Sequence, residues 1–159
     1  MRIWTGKTDG LGLRFGLIVS VFNQLITEGL SRGALNVLEQ KGTQPEDIEM
    51  AKVPGAFEIP GVAQQMGQLG RFDALICLGA VIQGETPHFQ FISAEVSRRI
   101  GQLSLDLKLP VIFGILTTDT VEQAIARSGD KQNKGAEAAL AAIEMAALYR
   151  VFKDTHPSK

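Results

Sequence analysis

Four apolar runs of strand length punctuate this chain, with little alternation inside them: "LRFGLIVSV" (13–21), "IEMAKV" (48–53), "FDALICLGAVI" (72–82) and "PVIFGILT" (110–117). A strand wetted on one face alternates apolar with polar residues, whereas a strand covered on both faces reads as a continuous apolar stretch. Segments of helical period separate the runs. "NQLITEGLSRGALNVLEQKG" sets Leu25, Ile26, Leu30, Ala34 and Leu38 along one stripe and stops at Gly42, and "GVAQQMGQLG" and "FISAEVSRRIGQLSLDL" follow the same rule. Two helices close the chain. The first opens on Asp119 and Glu122, spaced as a capping box, and the second on Asn133 as its cap. Strand and helix in alternation, with crossovers of helical length, predict a parallel sheet between helix layers. The expected fold is α/β: a flavodoxin-like three-layer sandwich with a four-stranded parallel sheet flanked by helices. It forms one domain over residues 1–159, with residues 1–12 as an extended N-terminal arm.

Composition narrows the function. At 159 residues and 45% apolar content, one ordinary core is expected. A net charge of −1 lacks the basic footprint that nonspecific nucleic-acid binding needs, so no nucleic-acid partner is expected. Cys77 is the one cysteine, which rules out a disulfide within the chain and a cysteine-based metal site; no metal is expected. No run approaches a membrane span, and "MRIWTGKTDG" has no signal-peptide core, so the expected compartment is the cytoplasm, with no membrane association.

In doubly wound sheets ligands sit outside the carboxyl ends of the strands. The segments there are "FN" (22–23), "PGAFEIP" (54–60), "QGETPH" (83–88) and "TD" (118–119). In the third of these, Thr86 is suited to cap a helix and Pro87 to occupy its first position, which leaves N–H groups near Glu85, Thr86 and His88 to face an anion. An ordinary capped helix explains the same residues. His88 is either a packed or solvated histidine at a helix start or a group that takes and gives a proton near neutral pH. Lys134 follows Asn133, where a cation opposes the helix dipole, so helix stability does not account for it. Arg127 in a last helical turn is favoured by the dipole and is also suited to a phosphate. Phe22 can stack on a planar ring or join the core, and Glu58 can bind a polyol or favour a helix start. Phe113 falls within the fourth strand, where core packing is the default.

Taken in order, "VPGAFEIP", "GAVIQGETPHFQF", "PVIFGILTTDTVEQAIARSG" and "NKGAEAALAAIEMA" resemble the 6,7-dimethyl-8-ribityllumazine synthase family over residues 13–150. The resemblance implies a condensation of 5-amino-6-(D-ribitylamino)uracil with 3,4-dihydroxy-2-butanone 4-phosphate that releases phosphate and water, without a cofactor, as the penultimate step of riboflavin biosynthesis. It implies that Phe22, with Asn23 beside it, meets the pyrimidine, that Ala56, Phe57 and Glu58 hold the ribityl chain, and that Ala80, Val81 and Ile82 line the ring. By the same likeness Glu85, Thr86 and Arg127 hold the phosphate, His88 transfers protons, Lys134 lies near the pyrimidine, and Phe113 reaches the site of a neighbouring subunit. The implied partners are copies of the same chain, as pentamers or as a 60-subunit icosahedral capsid.

Three departures from the family pattern stand out. Gln83 replaces a basic residue and Gln90 an acidic one, so one charge of each sign is gone. The stretch "GDKQNKG" (129–135) is one residue shorter than its usual counterpart, in a loop that influences shell assembly in the family. Fold alone would also permit a flavodoxin-like binding module that holds a flavin or a phosphorylated ligand at the same strand ends without chemistry.

Overall fold

The computed structural model describes residues 1–155. Its strands are β1 (Phe15–Ser20), β2 (Ile48–Val53), β3 (Ala74–Ile82) and β4 (Val111–Thr118). Helices α1 (Gln24–Gln40), α2 (Ile59–Gln68), α3 (His88–Asp106), α4 (Val121–Ser128) and α5 (Lys134–Thr155) connect or follow them. The sheet is parallel in the order β2-β1-β3-β4, which is flavodoxin-like winding with its reversal between β1 and β3.

Side chains leave a strand alternately to its two faces, so one strand feeds two cores. Phe15, Leu17, Val19, Ile76 and Leu78 pack beneath α1 and α5, whereas Ile18, Leu75, Cys77 and Ile115 pack beneath α2 and α3. Both layers draw on fully buried apolar side chains, which explains the unbroken runs in β1 and β3. β2 behaves otherwise. It occupies an edge and only Val53 in it is buried, contrary to the expectation of cover on both faces.

Glycine makes the close approach of α1 to the α4–α5 corner possible. A Cβ on Gly135 would lie 2.0 Å from the Leu30 carbonyl oxygen, and one on Gly29 would lie 2.5 Å from that of Ser128. At that corner the side chain of Asn133 acts in both senses. Its Oδ1 accepts from the Ala136 N–H at 3.0 Å, the cap expected from sequence, and its Nδ2 donates to the carbonyls of Gly29 and Ser128, each at 2.9 Å.

Other local expectations shift. Leu25 does not share the buried stripe of α1: it is 76% exposed, and Thr27, Gly29 and Ser31 join Ile26, Leu30, Ala34 and Leu38 instead. Thr86 does not cap α3. Pro87, at φ −69° and ψ 3°, stands at the cap position, and no side chain caps that helix. The cap of α4 is Thr120 rather than Asp119, with Thr120 Oγ1 accepting from the Gln123 N–H at 3.2 Å. Gln123 Oε1 accepts from the N–H of Asp119, the residue before the cap, so Gln123 rather than Glu122 reaches back at this helix start, without closing a reciprocal box on Thr120.

Residues 1–12 carry no regular structure and follow α5. Trp4 meets Phe152 edge-on with ring centroids 5.8 Å apart, and a Cβ on Gly6 would collide with the backbone of Glu144. The arm joins the body where the Gly10 N–H donates to the Lys41 carbonyl at 2.7 Å and Thr43 Oγ1 donates to the Gly10 carbonyl at 3.2 Å.

Candidate active site

Parallel strands present their carboxyl ends on one side of the sheet, and a crevice opens where the strand order reverses. There a cleft of about 600 Å³ lies between three strand-end segments: Phe22 and Asn23 after β1, Gly55–Glu58 after β2, and Ala80–Ile82 at the end of β3. Gly84, Thr86 and His88, on the turn into α3, close its remaining side. Phe22 is 70% exposed, so it is not a core residue, and its ring is available to a ligand. The turn that carries it is fastened by backbone: the Phe22 N–H donates to the Pro54 carbonyl at 3.0 Å and the Val21 N–H to that of Val53 at 2.8 Å. Asn23 starts α1 in the left-handed region, at φ 58° and ψ 50°, and its Nδ2 donates to the Ala80 carbonyl at 3.3 Å. Glu58 is exposed, with its carboxylate folded over Gly55, where an added Cβ would come within 3.0 Å of Oε2.

This surface combines an exposed aromatic face, an apolar floor, a carboxylate and an imidazole at the start of α3. The first-turn N–H groups of a helix have no intrahelical acceptor, and their dipole favours an anion. The cleft can therefore hold a flat ring and a hydroxylated chain, with an anion at the α3 end.

A second cleft of about 410 Å³ runs along the outer edge of β4 and is lined by Phe113, Arg127, Lys134 and Glu137. Phe113 is 42% exposed because no strand covers that edge, which replaces the default of core packing. Arg127 Nη1 donates to the Gln123 carbonyl of its own helix at 3.0 Å. Lys134 is ion-paired with Glu137 at 2.7 Å, so a local partner does offset its unfavourable position at the start of α5. Of the residues singled out in the sequence, Phe22, Asn23, Ala56, Phe57, Glu58, Ala80, Val81, Ile82, Thr86 and His88 thus line one cleft, and Phe113, Arg127 and Lys134 line another. Glu85 is exposed on the turn and lines neither.

Sequence reasoning overlooked Gly55, Gly84, Phe89 and Ile92 in the first cleft. The signal for the last two was present: they lie three residues apart on α3 immediately after His88, which puts them on one helical face. Cys77, by contrast, lies in the core, where burial pushes its thiol up to about 12. Among the described residues no helix is long and apolar enough to cross a membrane, and no group of three or more His, Cys, Asp or Glu side chains is placed to hold a metal ion. Residues 12–150 match the family model for 6,7-dimethyl-8-ribityllumazine synthase, a span that includes every residue of both clefts.

Proposed function

The chain belongs to the 6,7-dimethyl-8-ribityllumazine synthase family, and from that premise we propose that it condenses 5-amino-6-(D-ribitylamino)uracil with 3,4-dihydroxy-2-butanone 4-phosphate at a site made by two copies of itself. The family is one of transferases, and its chemistry is ribityllumazine formation in riboflavin biosynthesis. The observation that carries the two-copy reading is the separation of the clefts. The ring, polyol and imidazole groups lie at the strand ends, whereas Phe113 and the cations Arg127 and Lys134 lie at the open β4 edge.

In this reading Phe22 stacks on the pyrimidine above the floor of Ala80, Val81 and Ile82, while Ala56, Phe57 and Glu58 take the ribityl hydroxyls. Thr86 and the start of α3 receive the phosphate, with Glu85 on the same turn. The neighbouring copy brings Arg127 to that phosphate, Lys134 to the pyrimidine and Phe113 to the wall. An amine and a carbonyl held together already react, so the largest contribution is positioning, and the phosphate is the handle that positions the small substrate. His88 moves protons during imine formation and as phosphate leaves. Arg127 offsets the charge that develops on the departing phosphate. The assembly is a cyclic homo-oligomer built on pentamers, and the chain works in the cytoplasm.

Mixing both substrates with the protein tests the reaction. The expected result is a new absorption band that requires both substrates and releases phosphate in equal amount. Binding without product would overturn it in favour of a module that only holds its ligands. A particle mass measured on the same sample checks the assembly, and an active monomer would overturn the two-copy site.

A further inference from the structure

We infer that Asn23 is a positioning residue, whose side-chain amide fixes the gap between the Phe22 ring and the strand-end floor of the same cleft. The inference rests on the reading of that cleft as the pyrimidine site.

Pairing between β1 and β3 ends at Val19 with Leu78, while β3 continues beside β4 as far as Ile82. Past the end of β1, then, β3 has no strand on that side. The Ala80 carbonyl there receives the Asn23 Nδ2, 57 residues distant in the chain, at 3.3 Å. The amide supplies one more rung after the strand itself has turned away. The left-handed backbone of Asn23 makes this possible, and it is one of only two such non-glycine residues among those described. Asparagine tolerates that region because its short polar side chain finds a local or nearby partner. Meanwhile its own carbonyl accepts from the N–H groups of Ile26 and Thr27 at 2.9 and 3.1 Å, which starts α1.

The turn is consequently held to both neighbouring walls, by different means. Toward β2 the ties are the backbone bonds of Val21 and Phe22 to Val53 and Pro54, which no side-chain substitution removes. Toward β3 the tie is the Asn23 amide. A planar ring enters between Phe22, on the turn, and Ala80–Ile82, on β3, so the amide spans the gap that the ring must fit. Small misplacements of a reacting ring cost rate steeply, and a gap left to vary costs binding of the ring before anything else.

Two substitutions separate the amide from the backbone. Asn23→Gly keeps the left-handed conformation and removes the donor, whereas Asn23→Asp keeps the conformation and replaces the donor with an acceptor until the carboxyl is protonated. At neutral pH both variants are expected to raise the KM for the pyrimidine about tenfold, the share of one hydrogen bond, with the KM for the butanone phosphate within about twofold of the parent. Down to about pH 5 the Asp variant should stay as weak as the Gly variant, since a carboxyl with an ordinary pKa of about 3.9 at a helix start remains ionised there and cannot donate to the Ala80 carbonyl. A Gly variant with the parent's pyrimidine KM would overturn the role. So would an Asp variant that matches the parent at neutral pH, which would mean that the side-chain oxygen meets the substrate directly. Equal rises in both KM values would also overturn it. A parent enzyme that makes no product from the two substrates would remove the reading of the site itself; parent turnover with unaffected variants would remove only the role of Asn23.

Discussion

Replacing Asn133 with alanine should destabilise the protein by about 3 kcal/mol, although the side chain is only half-buried. The figure follows from the three bonds that Asn133 makes. Loss of the cap to the Ala136 N–H costs about 1 kcal/mol, as helix caps usually do. The two bonds from Nδ2 to the Gly29 and Ser128 carbonyls contribute about 1 kcal/mol each. A domain of this size loses about 2 to 4 °C of Tm per kcal/mol, so the expected fall is about 6 to 12 °C at equal protein concentration. Asn133→Asp separates the contributions, because a carboxylate still accepts from Ala136 and suits the helix dipole but cannot donate to the two carbonyls. It should lose about 2 kcal/mol. Denaturant titration or thermal melting, followed by circular dichroism, reads both variants. An Asp variant as stable as the parent would show that the two ties contribute nothing, and an Ala variant within about 1 kcal/mol of the parent would refute the reasoning about the corner as a whole.

Phe22→Ala should raise the KM for the pyrimidine about 5- to 150-fold, the worth of one stacked ring, while leaving Tm unchanged because the side chain is exposed; steady-state kinetics that show equal losses for both substrates would contradict the stacking role. Arg127→Ala should lose more kcat/KM than His88→Ala, since general acid–base catalysis is typically worth about 100- to 10,000-fold and solvent can replace part of it here. A dead His88 variant beside an active Arg127 variant would show that proton transfer outweighs positioning. Cys77 should resist thiol reagents at about pH 8 in the folded protein and react once it unfolds, and rapid labelling without denaturant would refute its burial. The same shift has a sign: the unfolded chain releases the thiol proton from about pH 8.5 and the folded chain not until about 12, so stability falls as pH rises across that window.

Strands β1 and β3 were legible because burial on both faces leaves a run without alternation, whereas β2 runs from Ile48 to Val53 as read, between Pro45 and Pro54, without that cover. Cover was less legible than position. Whether Phe113 is core or surface depends on which strands lie at the edges, and that order follows from the crossovers rather than from the strand's own residues. Helix starts slipped by one residue at Thr86 and at Asp119, because several adjacent residues can each serve as a cap and the backbone selects one. The division of the site residues between two clefts was hidden for a related reason. Arg127 and His88 both follow strand ends in the chain, but β4 ends at the rim of the sheet and β3 at its reversal, so similar sequence contexts lead to different surfaces.

That division has a genetic consequence. In the two-copy site proposed above, a defect at His88 and a defect at Arg127 would damage opposite partners of one junction, so two crippled proteins should restore each other when their subunits assemble together. In a random equal mixture about one quarter of the junctions in a ring receive an intact His88 surface from one subunit and an intact Arg127 surface from the next. Neither protein alone has any such junction. With both substitutions on one chain, no mixing of that chain with either single variant completes a junction, and this asymmetry makes complementation a property of how the chains meet rather than of any one of them.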